Sequence, residues 1–257
     1  MNGAFYVGAL GMDAQQRALD VVANNIANIN TTGFKRQVVR FSELAASARD
    51  EQDLPLAQTQ PSSSDGVTIS ASPHVWTQGD ISQTGQAMDL AISGNGFLEL
   101  MGPSGRTLLW RGGTLKVNAD GYLAASDGTV LKAMISVPQS ATNLTIGSDG
   151  IVSAQVDGST QLRQLGQIEL TMVKDPDSLV DDGSGYFEAS DPSETYNVAG
   201  GEDGGGMFVQ GALEGANVQL TNEMVTLMML QRAYAASAQV VQAGDQLMSI
   251  ANDLRRG

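Results

Sequence analysis

The sequence predicts an α+β chain, with N- and C-terminal helices pairing as a coiled-coil-like α domain and a central, mainly antiparallel β domain between them. Three observations predict it. Apolar residues recur at alternating three- and four-residue steps at both ends, Asp-Gly pairs punctuate short β-prone runs in the middle, and the acidity of the chain is confined to that middle.

The N-terminal helix rests on Phe5, Gly8, Met12, Gln15, Leu19, Val22, Ile26 and Ile29, a seam with six apolar positions out of eight. Asn30, Thr31, Thr32 and Gly33 close it, and Gly33 suits the left-handed conformation that commonly ends a helix. Asn24, Asn25, Asn28 and Asn30 crowd into its last turns, although a short amide competes with the backbone for hydrogen bonds. That cost is offset if the amides donate and accept across the boundary between neighbouring copies in a layer of closely packed helices, as a buried Asn does in coiled coils.

Residues 48–66, "ARDEQDLPLAQTQPSSSDG", have the composition of an extended connector, which we place at 43–74. Strands are then expected near 90–101, 107–117, 129–137, 144–156 and 165–174. The turns between them fall at Asp120-Gly121, Asp127-Gly128, Asp149-Gly150 and Asp157-Gly158, because Asp-Gly supplies the positive φ of tight hairpins. Residues 197–206, "NVAGGEDGGG", read as a flexible loop, and the β-rich domain as 75–215.

The C-terminal helix carries two adjacent stripes, Ala233, Ala236, Val240, Ala243, Leu247, Ile250 and Leu254 beside Leu227, Leu230, Tyr234, Val241, Met248 and Ala251. So wide an apolar face exceeds what one partner helix covers, so it should meet several, within the chain or in neighbouring copies. Segments 1–42 and 216–257 together form the expected helical assembly domain.

Composition narrows the function. With 42% hydrophobic but 5% aromatic residues, any core is built from aliphatic side chains. The absence of cysteine removes disulfides, thiolate metal sites and cysteine nucleophiles. The net charge is −14, yet segments 1–42 and 216–257 carry seven basic and five acidic residues, leaving seven basic and 23 acidic for 43–215. A surface that acidic repels phosphate, so neither nucleic acid nor an anionic membrane is an expected partner. No run approaches the roughly 20 apolar residues of a membrane span, and no cleavable secretory signal is expected.

Candidate chemistry is sparse. His74, the single histidine, has no second histidine for a metal and reads as structural. Asp120 with Asp127, Asp175 with Asp177 and Asp181 with Asp182 could be imagined as acid/base pairs, but they fall where turns are expected. "DPDSLVDDGSG", 175–185, lacks the ligand spacing of a calcium loop, and "GNGF", 94–97, lacks the lysine and helix of a phosphate cradle. Met224, Met228 and Met229 are a soft cluster best read as packing. No catalytic, metal or cofactor residue is assigned, and no cofactor is expected.

"LGMDAQQRALDVVANNIANINTTGFKR" resembles the N-terminal signature of bacterial flagellar rod and hook axial proteins, and "GALEGANVQLTNEMVTLMMLQRAYAASAQVVQAGDQL" their C-terminal one. "TQGDISQTGQAMDLAISGNGFLEL" and "GGTLKVNADGYLAASDG" are similar to the family's core stretch between them. "GMDAQQRALDVVANN" and "MLQRAY" look more like the distal than the proximal rod type. Ala235, Ala236, Ser237 and "LLWRGGTL" depart from the family pattern, which bears on fine subunit contacts.

The resemblance implies a structural, non-enzymatic subunit of the basal-body rod. It would be exported through the flagellar type III apparatus without a cleaved signal and would assemble helically with copies of itself and with other rod and hook proteins. The terminal helices would line an inner tube in the periplasmic rod, the β domain would face outward, and the shaft would transmit torque to the hook. The residues matching its motifs, and so expected at subunit interfaces, are Asn24, Asn25, Ile26, Asn28, Gly33, Phe34, Asn217, Val218, Glu223, Met224, Gln231, Arg232 and Tyr234. Lys35, Arg36 and Arg40 are expected either to pair with acidic groups of a neighbouring subunit or to be solvated. A hook or hook-junction protein is the nearest alternative; a carbohydrate-active enzyme is the alternative from another class.

Overall fold

A computed structural model of the chain describes residues 2–44, 66–70, 73–156, 161–183, 185–202 and 204–256. Helix α1 (Asn2–Ala27) opens the chain and helix α2 (Leu220–Arg256) closes it. Between them lie β1 (Arg40–Leu44), β2 (Gly66–Ser70), β3 (Ile81–Gln83), β4 (Asp89–Ser93), β5 (Leu98–Met101), β6 (Thr107–Trp110), β7 (Gly112–Val117) and β8 (Leu123–Ala125). They continue with β9 (Thr142–Ile146), β10 (Ile151–Gln155), β11 (Leu162–Gln167), β12 (Leu170–Val173), β13 (Leu179–Asp181), β14 (Phe187–Ala189), β15 (Thr195–Val198), β16 (Met207–Gln210) and β17 (Ala212–Glu214). Every ladder is antiparallel, so the α+β class holds.

The chain divides into two compact units, Met1–Ala27 with Gln37–Val75 and Gln219–Gly257, and Asn28–Arg36 with Trp76–Val218. In the first, α1 packs on α2. Its most buried positions are Ala14, Ala18, Val22 and Asn25, a stripe rotated from the expected seam and sharing only Val22 with it. Seam residues Met12, Leu19 and Ile26 are half-buried instead. The two small alanines explain the rotation, because helix backbones approach most closely over side chains that occupy least volume. A Cβ added at Gly8 would come within 2.8 Å of Val241 Cγ2, so the approach is close there too. Also in this unit, β1 and β2 pair from Arg40 opposite Ser70 to Leu44 opposite Gly66, so 66–70, inside the expected connector, forms a ladder strand. Its "VTI" core is β-branched, which suits a pleated strand. Residues 45–65 and 71–72 of the expected connector lie outside the described residues.

In the second unit, the four-stranded order β16-β4-β7-β8 places β4 between two neighbours, and Leu90, Ala91 and Ile92 are buried on both faces. The order β13-β14-β6-β5 forms a second sheet, and β11-β10-β9 a third. Aliphatic residues dominate the main core, with Leu98, Leu100, Leu123, Val152 and Leu170 fully buried. A smaller cluster joins Trp76, Phe97 and Phe187, whose rings meet edge to face at centroid separations of 4.9–6.2 Å.

Several expected elements shift for local reasons. The N-terminal helix stops at Ala27, not Ile29, because Asn28 starts a turn: its carbonyl accepts from Thr31 N at 3.0 Å and its Oδ1 from Thr31 Oγ1 at 3.0 Å. The strand expected over 90–101 breaks at Gly94 and Gly96, with φ of 110° and 119°, and that over 107–117 breaks at Arg111 before Gly112. The strand expected at 129–137 is absent; isolated bridges at Val130, Leu131 and Ser136 flank a turn in which Met134 has φ of 47°. The Asp-Gly turns at 121, 128 and 150 do have positive φ, whereas 157–158 lies outside the described residues.

Candidate assembly interface

Asn25, the most conspicuous of the clustered asparagines, is 1% exposed. Its Nδ2 donates to the Gln37 carbonyl at 2.9 Å and to Glu223 Oε2 at 3.3 Å, and its Oδ1 accepts from Gln37 N at 2.9 Å. One side chain at the end of α1 thus holds the returning backbone and the first turn of α2. Glu223 is itself buried, and Gln37 continues to a bridge with His74, Nε2 to Nε2 at 3.1 Å. The amide of Asn25 is therefore engaged within the chain. Asn24 is exposed and Asn28 is half-buried in its turn.

A second group of the expected residues meets in the other unit. Asn217 Oδ1 accepts from Arg36 N at 2.7 Å, its Nδ2 donates to Thr77 O at 2.9 Å, and its backbone N donates to Phe34 O at 3.3 Å. Gly33, at φ of 70°, donates its N–H to Glu214 O at 2.8 Å; a Cβ there would lie 3.3 Å from Arg111 Cβ. Phe34 is half-buried and Val218 buried.

Beside them lies a buried charge cluster. Lys35 Nζ donates to Glu214 Oε1 at 2.6 Å, and Arg111 Nη2 to Glu214 Oε2 at 3.0 Å. Gly79 N adds a third donor to the carboxylate at 3.0 Å. Arg111 also reaches the carbonyls of Gly94 and Gly96, and its guanidinium lies 5.7 Å from the Phe97 ring centre. Burial, and then the Arg111 charge, push the Lys35 ammonium below its usual range, with Glu214 opposing. Lys35 is thus buried and paired with Glu214 of its own chain rather than solvated.

The remaining expected residues are open. Met224, Gln231, Arg232 and Tyr234 are exposed on α2, and Ile26 is half-buried on α1. Met224, Val225, Met228, Met229 and Ile250 are about half exposed, and Val240 and Leu254 more so. At about 1.5 Å per residue, α2 presents this apolar surface along roughly 45 Å, from Met224 to Leu254. Among the candidate carboxylates, Asp127, Asp175 and Asp181 each accept a backbone N–H two residues on, as does Asp149 in its Asp-Gly turn. Asp120 does not; Asn118 Oδ1 holds that turn.

Family models match in three places: residues 5–35 match "Flagella basal body rod protein", 91–154 "Flagellar hook protein FlgE/F/G D1 domain", and 209–254 "Flagellar basal body rod FlgEFG protein C-terminal". The chain is 34% identical to flagellar basal-body rod protein FlgG of Borreliella burgdorferi, covering all of both chains. It is 34% identical to FlgG of Caulobacter vibrioides over 98% of this chain and 99% of that one.

The chain belongs to the flagellar basal-body rod protein family.

A second Caulobacter vibrioides rod protein, FlgF, is 33% identical over 94% of this chain and 93% of its own. The FlgG relatives agree with the distal type that the sequence favours. As a member of the rod family the chain is a structural subunit of the basal body. Of the residues in these hydrogen-bonded groups, Asn25, Gly33 and Lys35 lie in the first matched segment, Arg111 in the second, and Glu214, Asn217 and Glu223 in the third. Sequence reasoning missed Glu214 and Arg111. The available signal was register: in β17 the alternation buries Ala212 and Glu214 together, which puts a carboxylate on an inner face. A lone arginine between Trp110 and Gly112 was its counterpart.

Proposed function

We propose that this rod-family chain assembles helically with copies of itself and with other rod and hook axial proteins into the shaft that carries torque to the hook. In this reading the terminal segments 1–42 and 216–257 pair as a coiled-coil-like inner layer, 43–74 connects, and 75–215 faces outward. The chain works as a structural element and not as an enzyme, in the periplasmic part of the basal body, after export through the type III apparatus without a cleaved signal. The observation that carries the reading is the exposed apolar surface of α2. Patches of this kind mark protein interaction sites, and a helix so apolar on an open face requires a covering partner. Met224, Gln231, Arg232 and Tyr234 sit on α2 ready to contact neighbours. Asn24, Ile26, Asn28 and Phe34 also contribute, while Asn25, Gly33, Asn217, Val218 and Glu223 hold the shape that the neighbours meet.

Met228→Asp tests this. Met228 is 51% exposed, so the substitution should shift monomer stability by no more than about 0.5 kcal/mol. Swimming should nevertheless be lost, with the variant missing from purified basal bodies. Normal swimming by Met228→Asp and by Val240→Asp would exclude α2 as the assembly surface.

A further inference from the structure

The Lys35, Arg111 and Glu214 cluster is unbalanced, with two cations, one carboxylate, and side chains between 1% and 6% exposed. Buried charge without compensation is costly. Donor capacity is left as well. Lys35 donates to Thr77 O and Glu214, leaving one of its three protons, and Arg111 makes four contacts with five N–H groups. Against this pair opens a pocket of about 200 Å³, lined by Lys35, Arg111 and Lys174 together with Trp76, Phe97 and Met172, and, among the described residues, by no carboxylate.

We propose that this pocket is an acidic-residue socket: it receives an Asp or Glu side chain from a neighbouring copy of this chain, whose carboxylate neutralises the surplus charge of Lys35 and Arg111. Lys174, exposed at the rim, draws the carboxylate in, and the rings of Trp76 and Phe97 flank its methylene stem. Charge complementarity selects the occupant. Each copy offers 23 acidic against seven basic residues over 43–215, so a packed neighbour presents carboxylates in excess. The direction of the Lys35 shift agrees, since burial and Arg111 together outweigh Glu214. The pocket's affinity for carboxylate stands by itself, whereas the identity of the occupant rests on the rod reading.

Two measurements separate these parts. In the full-length monomer, sodium acetate is titrated against sodium chloride at constant ionic strength while the two tryptophan indole N–H resonances are followed by NMR. The Trp76 signal should move saturably with acetate alone and Trp110, in the main core, should stay still. Lys174→Gln should weaken the response two- to fivefold, the worth of one partly exposed ion pair. No movement of Trp76, or equal movement with chloride, overturns the pocket and leaves the rod reading intact. In purified basal bodies, a carbodiimide that condenses amines with carboxylates should then join Lys174 to an Asp or Glu in a dimer-sized product. Lys174 crosslinks confined to its own chain, or made to a different protein, overturn the neighbouring copy as occupant. Absence of the chain from basal bodies overturns the rod reading and the occupant together, and the titration still decides the pocket.

Discussion

Asn25 shows how one polar side chain in the last turn of a helix can tie together segments almost 200 positions apart in sequence. Asn25→Ala leaves a half-buried backbone N–H and carbonyl of Gln37 without this amide and removes a donor from buried Glu223. We expect a loss of about 1–3 kcal/mol, read from the urea midpoint of the monomer at unchanged slope. Asp127 gives a pH-dependent counterpart. Burial alone would raise its pKa, but hydrogen bonds from Thr129 N, Thr129 Oγ1 and the Tyr186 hydroxyl, with Lys116 nearby, bring it below 3.8. The unfolded chain then binds the proton more readily than the folded one, so this contribution is present above pH 3.8 and is lost as pH falls through the lower folded value. Wild-type stability should therefore drop more steeply in that acid window than that of Asp127→Asn, as followed by thermal unfolding. At this scale the sequence flagged Asn25 only as one of four asparagines crowded at a helix end. It could not show that the partners are Gln37 and Glu223, since only tertiary packing brings those groups together.

Elements were legible where their periodicity is strong. Both terminal helices and the Asp-Gly turns are visible in the sequence, as is the antiparallel character of the middle. Strand interruptions were not, because they depend on contacts between strands. Gly112 illustrates the point: at φ of 100°, an added Cβ would sit 2.5 Å from Leu90 O in the paired strand β4. Nothing in "WRGGT" reveals that neighbour. Gly112→Ala combines a strained backbone with a clash against main chain, which cannot rotate away. It should cost at least about 1–3 kcal/mol and weaken amide-exchange protection along the β4–β7 ladder before that of β9–β11. Protection lost evenly across both sheets would contradict a local role. The rotated stripe on α1 has a similar origin: hydrophobicity ranked Leu19 and Ile26 above Ala14 and Ala18, but close backbone approach favours the smallest residues.

The whole molecule joins two chemistries along one chain. Its ends are nearly neutral and present apolar helix surface, whereas 43–215 carries a net charge of −16 over a well-buried aliphatic core. Apolar faces favour close association, and a like-charged middle discourages contact except where cations such as Lys174 receive it. This is a suitable division for a subunit that packs through its ends. The family was legible from the terminal segments, but Glu214 and Arg111 were hidden because their pairing spans 103 positions of sequence. The claim that the chain builds the rod is tested most directly by electron microscopy of basal bodies from a strain lacking the gene, with and without its restoration. The account predicts truncated rods without hooks in the deletion, and complete rods on restoration. Complete rods bearing hooks in the deletion strain would contradict it.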